Sequence, residues 1–286
     1  MSRQFPQVDP DGLLEYSVVF TDRSLNHMSQ LFQQVMRDLS TDLKQVYNAH
    51  AVAIVPGGGS YGMEAVARQF AHKQTCLVVR NGWFSYRWSQ IFDMGQIPAK
   101  EIVLKARPTS ADRQAPWAPV AIEELEATIA ETKPDLVFAP HVETASGIVL
   151  PDDYLRRIGQ AVKKVGGLFV LDCVASGALW VDMIECGVDV LISAPQKGWS
   201  SSPCAALVML SEQAEAKLQQ TTSSSFAADL RKWRDIMIAY ENGGHAYHAT
   251  MPTDALFRLR DTIRETLHTG LNHLKEQQWQ LGNGVR

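Results

Sequence analysis

One lysine stands apart from the other charged residues of this sequence. In the stretch LISAPQKGWSSSPCAAL (residues 191–207), Lys197 is the only charged residue between Asp189 and Glu212. An ammonium group in partly desolvated surroundings gives up its proton more easily, and the neutral amine is a nucleophile toward carbonyl groups. Lys197 is therefore a candidate nucleophile, and the alternative is an ordinary exposed lysine in a loop.

Two further features could take part in the same chemistry. Asp172 ends the apolar segment GGLFVLD, 25 positions before Lys197, and its carboxylate could cap a strand or helix or pair with a protonated ring nitrogen of a bound cofactor. The segment PGGGSYGMEA (56–65) could be a plain tight turn, or its backbone amides could bind a phosphate at a helix N-terminus. This segment lacks the pattern GxGxxG, and no acidic residue ends the next predicted strand, which counts against a dinucleotide site.

Short apolar runs alternate with amphipathic segments along the chain. Apolar runs bounded by glycine, proline or polar residues predict strands, and apolar residues at helical spacing predict helices. The predicted strands are 51–56, 75–79, 101–106, 135–141, 167–176, 189–195 and 204–210. The predicted helices are 31–47, 60–71 with Ser60 as the N-cap, 84–94, 121–131, 152–166, 182–187 and 254–278. This alternation predicts an α/β fold with a mostly parallel sheet, in which functional residues gather at the carboxyl ends of the strands.

Composition and charge argue against several classes of protein. The chain has 286 residues, of which 45% are hydrophobic and 20% charged, and its net charge is −4, so neither nucleic acid nor an anionic membrane is an expected partner. The first residues, MSRQFPQVDPDG, lack the apolar segment of a secretory signal, and no segment is apolar over the length of a membrane span. The four cysteines are dispersed and lack metal-type pairing such as CxxC, which predicts reduced thiols, no metal site and a cytoplasmic location.

The order of these motifs resembles that of a known family. The glycine loop, the aromatic cluster NGWFSYR (81–87), HVETASG (141–147), LDCVAS (171–176) and SAPQKGW (193–199) follow one another as in the class V aminotransferases, which are fold-type I pyridoxal-phosphate enzymes. Within that family, the chain most resembles the alanine–glyoxylate and serine–pyruvate aminotransferases, from about residue 20 to the end. The motifs D-x-V-x-S and S-x-x-Q-K at this separation make the resemblance specific.

The resemblance implies a pyridoxal-phosphate-dependent aminotransferase. Such an enzyme would move an amino group from alanine or serine to a 2-oxo acid, glyoxylate or pyruvate, by a ping-pong Schiff-base mechanism. The implied architecture is the three-layer α/β/α large domain of that fold over residues 21–255, after an N-terminal segment at 1–20. Residues 256–286 would form a linking helix and the start of a C-terminal small domain that is otherwise missing.

The resemblance also implies roles for individual residues. Lys197 would bond covalently to the cofactor and later move the α-proton of the substrate, while Asp172 would keep the pyridine nitrogen protonated. Val174 would cover one face of the ring and Phe84 the other, with the adjacent Trp83 as the alternative stacking residue.

The remaining implied contacts concern the oxygen atoms of the cofactor. Thr144 would hydrogen-bond near the phenolic oxygen. The phosphate would be bound by Gly58, Gly59, Ser60 and Gln196 of one chain and by Tyr247 and Thr250 of a neighbouring subunit. Because the last two would act across an interface, the resemblance implies a homodimer with shared active sites. The alternative for Tyr247 is a buried aromatic residue of the core.

The chain departs from the family pattern in two respects. Its glycine loop reads GGGS where that branch often carries S-G-x-x, so that the hydroxyl group near the phosphate differs. The resemblance places the arginine for the substrate carboxylate in a C-terminal small domain, which we expect to be missing here, and it does not assign that role to the terminal Arg286.

Three alternatives remain open at the level of the sequence. A cysteine desulfurase or another lyase of the same fold would use the same lysine and aspartate, although those enzymes usually carry a histidine over the ring where this chain has Phe84. A dinucleotide-binding α/β protein would use PGGGSYG (56–62) for the phosphates. The third alternative is a chain that binds the cofactor weakly and catalyses nothing.

Overall fold

The computed structural model describes residues 25–285, so the predicted N-terminal segment at 1–20 lies outside the described residues. The helices are α1 (Gln30–Tyr47), α2 (Gly59–Phe70), α3 (Trp83–Gly95), α4 (Ile122–Thr132), α5 (Asp152–Val165), α6 (Met183–Cys186), α7 (Glu212–Leu218), α8 (Leu230–Glu241), α9 (Thr253–Thr269) and α10 (Leu271–Val285). The strands are β1 (Ala51–Pro56), β2 (Thr75–Arg80), β3 (Lys100–Lys105), β4 (Arg107–Pro108), β5 (Trp117–Ala118), β6 (Leu136–Pro140), β7 (Val142–Glu143), β8 (Ile148–Val149), β9 (Leu168–Asp172), β10 (Val190–Ser193) and β11 (Ala205–Leu210).

Seven of these strands form the central sheet, in the order β1-β11-β10-β9-β6-β2-β3. The five adjacent strands β10, β9, β6, β2 and β3 are parallel to one another. Strand β11 runs antiparallel to both of its neighbours, β10 and β1. Strand β1 therefore runs in the same direction as the other five. Six strands thus end at one edge of the sheet, which confirms the predicted mostly parallel α/β fold and brings the loops that follow them together.

The strands of the sheet are apolar because both faces are covered. Every residue of β9 (LFVLD) and of β11 (AALVML) is buried. Continuous apolar strands of this kind are typical of parallel sheets with helices on both faces. The register pairs Asp172, the last residue of β9, with Pro140 of β6 and Ile192 of β10. The one carboxylate of this strand therefore lies at the carboxyl edge, near the middle of the sheet.

The structure differs from the sequence prediction most clearly in α2, in the predicted helix 254–278 and in β9. The N-cap of α2 is Gly58 and not Ser60, which lies in the first turn of the helix. The predicted helix 254–278 consists of two helices, α9 and α10, because Gly270 adopts a φ of +99°, a backbone conformation that favours glycine. The predicted strand 167–176 ends at Asp172, since a turn follows in which the Ser176 N–H donates to the Cys173 carbonyl.

The four cysteines are free thiols and buried, as the sequence predicts. Burial raises the pKa of each thiol above its usual value, so that these residues stay protonated and unreactive near neutral pH. Within residues 25–285, none of the helices is both long and apolar enough to cross a lipid bilayer.

Candidate active site

Three loops of the predicted site lie against one another at the carboxyl edge of the sheet. Gly59, at the start of α2, approaches Val174 so closely that a Cβ at Gly59 would lie 2.7 Å from Val174 Cγ2. Gly198, next to Lys197, meets the backbone of Gly177, and a side chain there would overlap the Gly177 carbonyl group. The glycine loop, the loop after β9 and the Lys197 loop are therefore neighbours.

Asp172 is the buried carboxylate of this region. Its Oδ1 accepts a hydrogen bond from the Val174 N–H at 2.9 Å, and its carbonyl oxygen accepts one from the His141 N–H at 2.9 Å. Burial raises the pKa of the Asp172 carboxyl to about 6; the charge of Glu143 also raises it, while the Val174 bond and the charge of Arg87 oppose the rise. A cationic group bound beside Asp172 would favour its ionised form.

His141 and Ser176 form a buried pair next to Asp172. His141 Nδ1 lies 2.8 Å from Ser176 Oγ. Burial lowers the pKa of His141 to about 4, so its ring is neutral near pH 7 and adds no charge to the site. Sequence reasoning does not single out either residue, although both stand in the motifs that carry the resemblance.

The glycine loop ends at the N-terminus of α2. Gly57 has a φ of +123°, a conformation that favours glycine, and Gly58 is the extended N-cap of the helix. Among residues 25–285, the N–H groups of Gly58, Gly59 and Ser60 donate to no protein group. Free N–H groups at the positive end of a helix dipole attract anions, so this loop fits a phosphate.

Trp83 and Phe84 begin α3 but face different surroundings. Trp83 is 60% exposed and lies beside Tyr86, with the ring centroids 6.1 Å apart. Phe84 is 36% exposed, and the Cζ atom of Arg87 lies 5.3 Å from its ring centroid. Arg87 Nη1 donates to Ser60 Oγ at 2.8 Å. Phe84 is therefore linked through Arg87 to the glycine loop, whereas Trp83 is not.

Glu143, at the end of β7, holds the start of α3. This fully buried carboxylate accepts hydrogen bonds from the Phe84 N–H at 3.1 Å and from the N–H and hydroxyl of Ser85 at 2.8 and 2.6 Å. A negative charge at a helix N-terminus is stabilised by the helix dipole. Glu143 thereby fixes the backbone that carries Phe84. Sequence reasoning misses this role, although Glu143 belongs to the HVETASG motif.

We expect Glu143→Gln to lower the free energy of unfolding by about 1–3 kcal/mol, because a neutral amide with one acceptor oxygen would replace a buried carboxylate that accepts several bonds. Equilibrium unfolding in urea measures the change. The control is Glu131→Gln, at an exposed position of α4, which should change the same free energy by less than about 0.5 kcal/mol. If the free energy of unfolding falls equally little in both variants, Glu143 does not hold the start of α3.

Lys197 follows β10 in a turn that aromatic residues support. Tyr47 Oη and Trp199 Nε1 each donate to Ser193 Oγ at 3.3 Å, and the Trp199 ring stacks on Trp180 at a centroid distance of 4.6 Å. The apolar neighbours of the lysine pack into the core, while Lys197 itself is exposed in this chain. The desolvated surroundings that its flanking sequence suggests are therefore not present around the side chain.

Other predicted cofactor-binding residues also lie on the surface. Thr144 is exposed in the turn between β7 and β8, and Tyr247 (67% exposed) and Thr250 lie in the segment after α8. The exposure of Tyr247 excludes the alternative of a core aromatic. In the part of the chain that the structure describes, no hydrogen bond joins Tyr247 or Thr250 to the glycine loop. Their hydroxyl groups are thus open to another molecule.

The chain resembles known proteins in both sequence and fold, although no family model matches it. The alanine–glyoxylate aminotransferase of Oryctolagus cuniculus is 27% identical over 263 residues, which cover 90% of this chain and 62% of that protein. The L-aspartate–glyoxylate aminotransferase of Paracoccus denitrificans is 26% identical over 270 residues, which cover 92% and 64%. The crystal structure of an alanine–glyoxylate aminotransferase from Nostoc sp. matches with a TM-score of 0.75 at 24% identity, over 87% of this chain and 63% of that one. These relatives are class V aminotransferases.

The chain spans less than two thirds of the length of these aminotransferases, since it covers 62–64% of them. The part that it shares with them has the fold of the fold-type I pyridoxal-phosphate transferases, with its seven-stranded, mostly parallel sheet.

Aminotransferases of this fold family use pyridoxal 5′-phosphate, and the residues at the carboxyl edge fit that group. The free N–H groups of the glycine loop suit its phosphate, and the buried Asp172 suits its protonated ring nitrogen. Among the described residues, Ser146 Oγ, Gln196 Oε1 and Ser201 Oγ are buried without a hydrogen-bond partner. All three belong to loops at this edge. Buried polar atoms without partners are uncommon, and a bound group can satisfy them.

Proposed function

We propose that this chain forms the cofactor-binding part of a pyridoxal-phosphate-dependent class V aminotransferase. The observation that carries the proposal is a buried carboxylate, Asp172, at the same sheet edge as the free amides of the glycine loop and the Lys197 loop. Among residues 25–285, no cation forms an ion pair with Asp172. An unpaired buried charge is costly, and a protonated pyridine ring would supply the missing partner.

The residues of the chain would divide the chemistry between them. Bound pyridoxal phosphate would supply an aldehyde that accepts amino groups and a ring that withdraws electrons. Lys197 would supply the amine that bonds to the aldehyde carbon and, when released, would move the proton of the substrate's α-carbon. Asp172 would hold the proton on the ring nitrogen, which makes removal of the α-proton easier.

Other residues would hold the cofactor in place. Phe84 and Val174 would cover the two faces of the ring, and the link from Phe84 through Arg87 to the glycine loop supports Phe84 over Trp83 for this role. Thr144 would bond near the phenolic oxygen. The phosphate would be bound by Gly58, Gly59, Ser60 and Gln196.

We further propose glyoxylate or pyruvate as the acceptor and alanine or serine as the donor, in a ping-pong reaction. The names of both sequence relatives contain glyoxylate, which supports that acceptor. Their names differ in the donor, which is alanine in one and L-aspartate in the other.

Two observations weigh against the alternatives. The resemblance assigns the stacking role to Phe84 and not to a histidine, which disfavours a cysteine desulfurase. Strand β2 ends at Arg80, so the acidic residue of a dinucleotide site is absent there.

An absorption spectrum of the chain mixed with pyridoxal phosphate tests the proposal. An absorption band of the lysine-bound cofactor that borohydride removes would support it, and the absence of such a band would contradict it. Incubation with alanine and glyoxylate then tests the transfer, since pyruvate and glycine are the expected products. Release of sulfide from cysteine would instead identify a desulfurase.

We propose a homodimer in which Tyr247 and Thr250 reach the phosphate of the partner subunit. Tyr61, Trp83 and Tyr247 are each more than half exposed, and exposed aromatic side chains are common at interfaces between proteins. In a symmetric dimer each subunit would both give and receive these hydroxyl groups, which would supply donors that one glycine loop lacks.

Mixed dimers test the shared site. A Lys197→Ala subunit is paired with a Tyr247→Phe/Thr250→Ala subunit, and cofactor affinity is measured by titration. If the hydroxyls act across the interface, one site of the mixed dimer contains the intact lysine and the intact hydroxyls, and we expect it to bind as tightly as the wild type. If no site regains that affinity, the hydroxyls do not act across the interface.

A further inference from the structure

Arg87 is a half-buried cation at the candidate site without an acidic partner. Its Nη1 donates to Ser60 Oγ at 2.8 Å, and its Cζ lies 5.3 Å from the Phe84 ring centroid. Among residues 25–285, no carboxylate forms an ion pair with Arg87, whereas Arg80, at the end of β2, lies 3.9 Å from Glu101. The charge of Arg87 is therefore available to a bound anion.

The phosphate-binding residues predicted from the sequence include no cation. They are three residues of the glycine loop, Gln196 and two hydroxyl groups of a second subunit. A phosphate monoester carries about −1.5 to −2 charge at pH 7, whereas a helix N-terminus supplies only about half a positive charge. These groups alone leave most of the negative charge unbalanced.

We propose that Arg87 is the cationic ligand of the cofactor's phosphate in this chain, an inference that rests on the proposed function. Its guanidinium already contacts Ser60, a member of the glycine loop whose neighbouring N–H groups are free. A guanidinium has five N–H donors in a planar fork, and the bond to Ser60 uses one of them. The remaining donors suit two oxygens of a phosphate.

The same side chain connects the phosphate position to the aromatic ring. Phe84 and Arg87 are three residues apart on α3, a spacing that places them on the same face of the helix. The cation near the Phe84 ring restrains its orientation, and Glu143 fixes the start of α3. Arg87 would therefore couple recognition of the phosphate to the placement of the ring that covers the cofactor.

Binding of two ligands separates a role toward the phosphate from a role toward the ring. Pyridoxal phosphate and pyridoxal differ only in the phosphate, and their dissociation constants are measured by quenching of tryptophan fluorescence. We expect Arg87→Gln to raise the Kd of pyridoxal phosphate by roughly 10- to 100-fold, as for the loss of a charged hydrogen bond, and to change the Kd of pyridoxal by less than about twofold. Arg87→Lys, which keeps the charge but not the fork, should lie between the wild type and Arg87→Gln.

The control is Arg113→Gln, at an exposed position in the loop between β4 and β5, which should leave both constants unchanged. Urea unfolding of each variant shows whether it is folded. An equal loss of affinity for both ligands in Arg87→Gln would mean that Arg87 only orients Phe84. An unchanged affinity of this variant for pyridoxal phosphate would mean that Arg87 has no role in binding the phosphate. Either result overturns the inference and leaves the proposed function intact. A wild-type chain that binds neither ligand would overturn the proposed function, and this inference with it.

Discussion

The Lys197→Ala variant is expected to form no covalent adduct with pyridoxal phosphate and to show no transamination. The physical reason is that the alanine side chain has no amine. Lys197 is the only lysine of its loop, and Gly198 of the same loop packs against the backbone of Gly177, in the loop that follows Asp172. The wild-type chain is treated with pyridoxal phosphate and borohydride, digested, and examined by mass spectrometry. The added mass should lie on a peptide from the region 191–210 and should be absent from the variant.

The matched control for this experiment is Lys217→Ala, which removes an exposed lysine of α7. Its adduct and its activity should equal those of the wild type. An adduct that persists on a different lysine in the Lys197 variant would show that the assignment is wrong, even if activity is lost.

The Asp172→Asn variant is expected to bind the cofactor but to turn over about 10²- to 10⁴-fold more slowly, because electrostatic stabilisation of several kcal/mol would be lost. Lys197 remains in place, so the covalent bond to the cofactor can still form. The neutral amide, however, cannot hold the ring nitrogen in its protonated form. Single-turnover kinetics with an amino acid donor measures the loss, and binding is followed by absorbance.

A matched control for Asp172 lies at the opposite edge of the sheet. Asp189, before β10, is a partly buried carboxylate that accepts hydrogen bonds from the Phe169 N–H at 2.9 Å and the Ser211 hydroxyl at 2.8 Å. Burial raises its pKa as well. Asp189→Asn should therefore test the loss of a buried carboxylate without touching the site, and turnover should stay near that of the wild type. Near-normal turnover of Asp172→Asn itself would exclude the assigned role.

The raised pKa of Asp172 also makes the stability of the wild-type chain depend on pH. The pKa of an aspartate is about 3.9 in an unfolded chain, whereas burial raises that of Asp172 to about 6. The folded chain therefore binds this proton more tightly, and ionisation of Asp172 lowers stability as the pH rises from about 4 to about 6. Without ligand, Asp172→Asn should gain stability relative to the wild type over that range, by at most about 3 kcal/mol. Urea unfolding at several pH values measures the difference, and a difference that does not vary with pH would refute the expectation.

Local patterns of the sequence were sufficient to predict the main strands and helices of the fold. The apolar runs at 51–56, 189–195 and 204–210 predicted buried strands, and the structure confirms them within two residues as β1, β10 and β11. This succeeds because a strand or helix is specified largely by which of its own residues must be buried. The same reasoning placed Asp172 and Lys197 after strands that end at one edge, and the structure brings their loops together.

Only the tertiary structure decided how the residues around that edge act on one another. Glu143 bonds to Ser85 from 58 positions away, and Arg87 bonds to Ser60 from 27 positions away. Neither pair has a pattern in the sequence, because each forms only when two separate loops are packed against each other by the sheet. The exposure of Lys197 has the same origin, since its apolar neighbours take the space in the core and leave the lysine outside. The order of apolar and polar residues along the chain indicates which residues are buried. The partners of a charged group and its access to water depend instead on distances that only the folded structure sets.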